Sequence, residues 1–350
     1  MTLLVKIEGR YVHLILVYKK RVVQEFRYLS FKDLREGIDI LKKKNGINLI
    51  VFFWPYGGKI IKKSVVTVNE KIIKKLHSAF GFDSQCNNMM LQSMKVLQKE
   101  FLNVPQKIIC DTAFFLDFPE VSFLYAIPYE FSQKGIRRFG KHGVFHQWAV
   151  NRVAEESGCK YKKIISVCLD AHTNVAAIKN GKTVDVSDGF SDAGGVVSEH
   201  GCGMIDLFSV FEMVSEGMSC ARIEKILSQE SGLASLSLQG FHFEDIFNSP
   251  KNEHERFVKQ FYQYQILKHV GAFTAVLGGL DALIFTGREY PYSKNFIKGL
   301  LKEMSFLGIK MKSISSSRES ICLTQKKSQL QVFLVQKDFL KVIEDFKVLS

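Results

Sequence analysis

His142 and His146 stand four residues apart, one turn of a helix, so both imidazoles can face the same side. That spacing suits a metal ion held by two ring nitrogens, and it suits equally two rings packed at a helix start. No third ligand stands at an obvious spacing, so packing is the preferred reading. Asp111 lies in the apolar run Lys107–Phe114. Read from the residues alone it is a strand-end acid satisfied by Arg137 or Arg138. The seven cysteines (Cys86, Cys110, Cys159, Cys168, Cys202, Cys220, Cys322) are scattered without a C-x-x-C pair. Several sit in apolar strands, where a free thiol packs as a small hydrophobe. An odd, unpaired set points to a reducing compartment.

Those side chains need a frame, and 350 residues suffice for two ordinary domains or one duplicated architecture. A 46% hydrophobic and 24% charged composition is that of a globular chain. Met1–Arg10 is too short and too charged for a signal peptide, and no run reaches the ~18 apolar residues of a membrane span. A soluble protein of the cytoplasm, with no membrane partner, is expected. The net charge of +13 is read as a lysine-rich surface, since the longest basic run is only Lys42–Lys44. Nucleic acid is therefore not an expected partner, though polyanion binding stays open as a third alternative.

The elements come as a repeated unit. Leu3–Glu8, Tyr11–Tyr18 and Arg21–Tyr28 alternate as half-buried strands, with a bend at Glu8–Arg10 and a turn at Lys19-Lys20. The plan returns as Ile164–Leu169, Asn174–Lys179 and Thr183–Ser187, with a bend at Asp170–Thr173 and a turn at Asn180-Gly181. Asn-Gly between alternating runs is a strong hairpin signal, because both central residues need positive φ. Ser30 with Asp33 caps a helix with Leu34, Ile38 and Leu41 on its apolar face. Ile47–Trp54 and Leu280–Phe285 read as strands covered on both faces. Ser293 caps a helix that Gly308 stops, and Ile309–Ile314 resumes as strand. The fold class is α/β. The duplication resembles the ribonuclease H-like fold of the actin-like ATPase superfamily, in which two domains flank a central cleft and the bends after each first strand hold nucleotide phosphates.

A narrower resemblance begins at Asp111. The segments Asp111-Thr112-Ala113-Phe114, Pro119-Glu120 and Tyr125-Ala126-Ile127-Pro128-Tyr129 are similar to the "DTAF…PE…YALPY" of acetate kinases. Arg137-Arg138-Phe139-Gly140-Lys141-His142-Gly143 with His146 resembles "RRYGxHGxxH". Asn180-Gly181-Lys182 with Gly189-Phe190, and Ser231-Gly232-Leu233, fall on further family blocks. So do Gly278-Gly279-Leu280-Asp281-Ala282 with Phe285-Thr286-Gly287, and Phe306-Leu307-Gly308-Ile309-Lys310. These ordered matches span about two thirds of the chain.

The resemblance implies ATP and Mg²⁺ as cofactors, a small carboxylate as substrate and a homodimer. It implies a domain of residues 1–115 rejoined by 337–350, and a second of residues 116–336 carrying the nucleotide side and the dimer contact. Asp111 is then the carboxylate near Mg²⁺ and His142 the support of the transferring phosphoryl. Thr286, Gly287 and Gly9 lie on the nucleotide side.

Phosphoryl transfer depends on aligned groups and on cations at the equatorial oxygens, and much of that set is altered. Where the family's first bend reads Asn-Ala-Gly-Ser-Ser-Ser, this chain has Ile7-Glu8-Gly9-Arg10-Tyr11-Val12. Its second bend, Gly-Asn-Gly, is Asp170-Ala171-His172. The two catalytic arginines fall on Phe53 and Gly201, with His200 beside the latter. Family glycines after Gly287 are replaced by Arg288-Glu289-Tyr290-Pro291-Tyr292. An adenosine-side arginine is Glu244, and a metal-associated acid falls on Phe339, beside Asp338. Each missing charge-stabilising donor costs ~3 kcal/mol of transition-state stabilisation. The leading expectation is a family member with impaired catalysis, or a pseudoenzyme. The alternative is an active small-carboxylate kinase drawing its charge from Asp111, His142, His200 and Arg10 or Arg288.

Overall fold

The computed structural model describes the chain except residues 9–10, 30, 45, 58–60, 62, 79–83, 192, 238–242, 244–246, 248–249, 288–292, 313–319 and 347–350. It divides into one unit of Met1–Leu116 with Asp338–Ser350, and another of Asp117–Lys337. Among the described residues each unit holds one six-stranded sheet.

In the first unit, β1 (Thr2–Glu8), β2 (Tyr11–Tyr18) and β3 (Arg21–Tyr28) form an antiparallel meander. The sheet extends from β1 through β4 (Leu49–Trp54) to the chain's sixth strand, β6 (Gln106–Cys110), both in parallel register. The fifth strand, β5 (Val65–Thr67), closes the edge antiparallel to β6. The second unit repeats each step. β7 (Lys163–Cys168), β8 (Asn174–Lys179) and β9 (Lys182–Val186) form the meander. β10 (Ala282–Gly287) and β12 (Gln331–Gln336) follow in parallel, and β11 (Ser320–Cys322) takes the edge. Both meanders break register at the same place, between Leu16 and Val17 and between Ala177 and Ile178.

The parallel strands are apolar because helices cover both faces. All six residues of β10 are buried, as are five of six in β7. The 25-residue helix Glu253–Leu277 starts where Asn252 accepts the Glu255 N–H at 2.8 Å and stops at Gly278, φ 68°. Val258, Tyr262, Ile266, Val270, Phe273 and Leu277 recur every three or four residues and are buried against β7 and β8. At about 1.5–3 kcal/mol for each large side chain, that stripe fixes the helix to the sheet.

Two expected strands differ. Lys107–Phe114 ends as a strand at Cys110, and Asp111–Phe115 is a 3₁₀ turn whose apolar side chains continue the run without the ladder. Ile309–Ile314 is not a strand over its described part; Met311 makes a single bridge to Thr324. Asp111 follows β6 directly, and Lys337 follows β12, the corresponding strand of the second sheet. The duplication thus sets charged residues of opposite sign at equivalent strand ends.

Candidate active site

In the second unit the chemistry collects at the carboxyl ends of β7, β10 and β12, the usual place for a ligand in a parallel sheet. Asp170 follows β7 by two residues. Its Oδ1 accepts the Ala171 N–H at 2.9 Å, and its Oδ2 takes the Lys337 ammonium at 2.5 Å. Both side chains are largely withdrawn from water, 10% and 15% exposed. The ammonium also lies 3.8 Å from the Phe145 ring centroid. Buried Thr173 locks the bend: its N–H donates to Ser198 Oγ at 3.0 Å, and its hydroxyl meets Tyr262 on the long helix at 2.6 Å. The bend is therefore rigid, and it presents a carboxylate.

His142 sits at the N-cap of the helix Gly143–Ser157 in left-handed backbone, φ 57°. Its Nε2 lies 2.9 Å from the His172 carbonyl. The His172 ring in turn lies 3.1 Å from Asp188 Oδ1, while Asp188 Oδ2 accepts the Lys141 N–H at 2.7 Å and the Asn174 amide at 2.9 Å. Desolvation and then the Lys337 charge hold His142 well below the usual imidazole range, against the opposing pull of Asp170. It is neutral at pH 7.

His146 does not join a metal with His142. It is fully buried, with Nδ1 2.8 Å from Ser166 Oγ and Nε2 2.9 Å from Asn174 Oδ1. The amide oxygen can only accept, so Nε2 carries the proton and Nδ1 accepts from the hydroxyl. Desolvation lowers its pKa to about 4. This is a core histidine, as the packing reading holds.

Thr286 and Gly287 end β10. The Thr286 carbonyl accepts the Leu169 N–H at 2.7 Å, and its buried hydroxyl has no hydrogen-bond partner among the described residues. Gly287 has φ 134°, and a Cβ there would lie 1.9 Å from the Leu169 carbonyl oxygen. Close approach of β10 to the end of β7 already requires glycine. Gly9, Arg10, Glu244 and the segment 288–292 lie outside the described residues. Gly201 is buried, and His200 is exposed with its ring 3.4 Å from Glu199.

Arg137 and Arg138 have partners within the second unit. Arg138 pairs with Asp185 at 3.0 Å and donates to the Ser122 carbonyl at 2.9 Å. Arg137 stacks 3.6 Å from the Phe123 ring centroid, with Phe118 and Phe139 nearby.

In the first unit Asp111 is buried, 5% exposed, at the start of its 3₁₀ turn. Gly57 donates its N–H to Thr112 Oγ1 at 3.0 Å, and a Cβ on Gly57 would meet Cys110 Sγ at 2.3 Å. Phe53 and Phe339 pack edge to face, centroids 5.2 Å apart at 63°. Lys6 Nζ lies 5.1 Å from the centroid of the Phe339 ring. Asp338 caps the helix Phe339–Asp345, accepting from Leu340 and Lys341 at 2.9 and 3.1 Å.

Sequence reasoning did not single out Lys337 or Asp188, and it read Cys168 as a small hydrophobe packed in an apolar strand. Asp188 precedes the recognised Gly189-Phe190 pair, and Lys337 follows an apolar strand as Asp111 does, which are the signals that could have found them.

A sequence model described as the Acetokinase family matches residues 26–344. An acetate kinase of Dictyoglomus thermophilum is 33% identical over 303 residues, covering 84% of this chain and 74% of that protein. One from Halothermothrix orenii is 30% identical over 308 residues, covering 86% and 77%. The crystal structure of Porphyromonas gingivalis acetate kinase superposes with a TM-score of 0.86, at 24% identity over 100% of this chain and 99% of that one. That of Entamoeba histolytica acetate kinase gives 0.85 at 23% identity, over 99% and 98%. These two structures bear on the fold.

Proposed function

The chain belongs to the acetokinase family, and we propose that it keeps the family's frame while transferring phosphoryl groups from ATP to small carboxylates slowly or not at all. The observation that carries this reading is the Phe53–Phe339 contact. By resemblance one position belongs to a catalytic guanidinium and the other to a metal-associated carboxylate. Two phenyl rings packed on each other neutralise no equatorial charge and ligate no ion. The replacement is also self-consistent, since one charge beside a phenyl ring would lose its counter-charge.

Magnesium nucleotide fits the described residues poorly. At the second bend a phosphate needs approachable backbone N–H groups, and it would meet the Asp170 carboxylate, already neutralised by Lys337. The glycine at 287 answers to Leu169. We assign Asp111 to the vestige of a Mg²⁺ site and His142 to the vestige of the phosphoryl site, with Thr286, Gly287 and Gly9 on the nucleotide side. Neutral His142 can donate a hydrogen bond but brings no positive charge.

We place the protein in the cytoplasm, on the strength of scattered free cysteines. No helix among the described residues is long and apolar enough to cross a membrane. We propose a homodimer through the second unit, where Met204, Leu207, Phe208 and Phe211 are 60–78% exposed on one helix and its lead-in.

The opposing reading is an active carboxylate kinase, and Asp111 and His142, which keep the family's residue types, favour it. A hydroxamate assay for acyl phosphate, supplied with ATP, Mg²⁺ and acetate or propionate, decides between them. Baseline signal from wild type is expected. Robust turnover that His142→Ala abolishes would overturn the proposal.

A further inference from the structure

We propose that His142, Cys168 and Asp170 form a site for a divalent transition-metal ion of the zinc class. The three ligand atoms lie within 4.8 Å of one another. Binding a tetrahedral ion would draw them to roughly 3.5 Å, a movement side-chain rotation can supply. An imidazole nitrogen, a thiolate and a carboxylate are a donor set for zinc or cobalt and a poor one for magnesium. The inference is separate from phosphoryl transfer, because it needs neither nucleotide nor the first unit.

The surroundings are those of a ligand set. His142 Nε2 faces the His172 carbonyl, which can only accept, so Nε2 carries the proton and the lone pair is on Nδ1. A metal-bound histidine commonly makes this second contact, which fixes tautomer and ring orientation. The next layer is held too, since the His172 ring is anchored on Asp188. Cys168 ends β7 and is fully buried, and Asp170 is placed two residues on by the locked bend. His142 is half-buried, which leaves an approach for an ion and for a water as fourth ligand.

One feature opposes the ion. The Lys337 ammonium already neutralises Asp170 Oδ2, so metal and ammonium compete for one carboxylate. Affinity in the wild type is therefore below that of a dedicated zinc site, and removing Lys337 increases it. Binding also deprotonates Cys168, whose proton passes to solvent, so affinity rises with pH.

The test titrates Co²⁺ into the full chain after chelator treatment under reducing conditions. Expected are saturable binding of one equivalent, tetrahedral d–d bands, a thiolate-to-cobalt charge-transfer band, and displacement by Zn²⁺. Cys168→Ser abolishes the charge-transfer band, and Asp170→Asn weakens binding about tenfold or more. Lys337→Met, which keeps all three ligands, tightens binding several-fold. No saturable Co²⁺ or Zn²⁺ binding in the wild type overturns the proposal. So does binding that survives Cys168→Ser and Asp170→Asn unchanged, or binding that Lys337→Met fails to tighten. If the ligand variants do not fold, the wild-type and Lys337→Met titrations decide the matter.

Discussion

Replacing Lys337 with Met, Asp170 with Asn, and both together makes a double-mutant cycle on the pair that fills the second bend. The Asp170 carboxylate is 10% exposed, and its partners include the Ala171 N–H and the Lys337 ammonium. Lys337→Met removes the counter-charge from a largely buried carboxylate, which costs about 3–5 kcal/mol. Asp170→Asn is milder, because the stranded ammonium keeps the Phe145 ring at 3.8 Å, a contact of ~0.5–2 kcal/mol. The double variant has neither charge, and removal of a whole buried pair is often close to neutral. The coupling energy should therefore be about 3 kcal/mol or more. Urea unfolding at pH 7 with a chelator present, followed by a probe in the second unit, measures it. Single effects that add within about 0.5 kcal/mol would refute the assignment of a buried, mutually dependent pair.

Three further outcomes follow from the same structure. His146 has a pKa of about 4 in the fold, against ~6.5 when unfolded. Below pH 6.5 the unfolded chain binds the extra proton, so this stability is complete above that pH and is lost towards pH 4. At pH 5 the loss is about 2 kcal/mol. Urea midpoints at pH 7.5 and 5 should converge in His146→Gln, and a parallel fall in both proteins would contradict the assignment. Lys19 and Lys20 both sit at positive φ, 46° and 63°, where Asn180 and Gly181 close the matching hairpin. Lys19→Asn with Lys20→Gly should stabilise the first unit by about 1 kcal/mol, read as a raised Tm; no change would deny the backbone strain. Phe208→Asp with Phe211→Asp should convert a dimer to a monomer in light scattering, and an unchanged mass would move the interface elsewhere.

The fold was legible wherever local pattern and burial agree. Alternation and turn length located both meanders within a residue or two, although Lys19-Lys20 has no turn chemistry of its own. Pattern failed where apolar residues continue without a ladder. Ala113, Phe114 and Phe115 pack from a 3₁₀ turn, and Ile309 leads to a single bridge. The proposed loss of two arginines is read from single positions, Phe53 and Gly201. What replaced those groups could not be. Phe53 meets Phe339 across nearly the whole sequence, and Asp170 meets Lys337 from 167 positions away. His142, Cys168 and Asp170 converge from a helix cap, a strand end and a bend, with no ligand spacing to announce them. Ser166 and Asn174 account for both nitrogens of His146, in keeping with the packing that its spacing from His142 had suggested.

The proposed loss of phosphate-binding capacity is tested most directly by calorimetric titration of the full chain with MgATP. It predicts no saturable heat, and no rise in Tm at millimolar nucleotide. Stoichiometric, Mg²⁺-dependent binding in the micromolar range would contradict it.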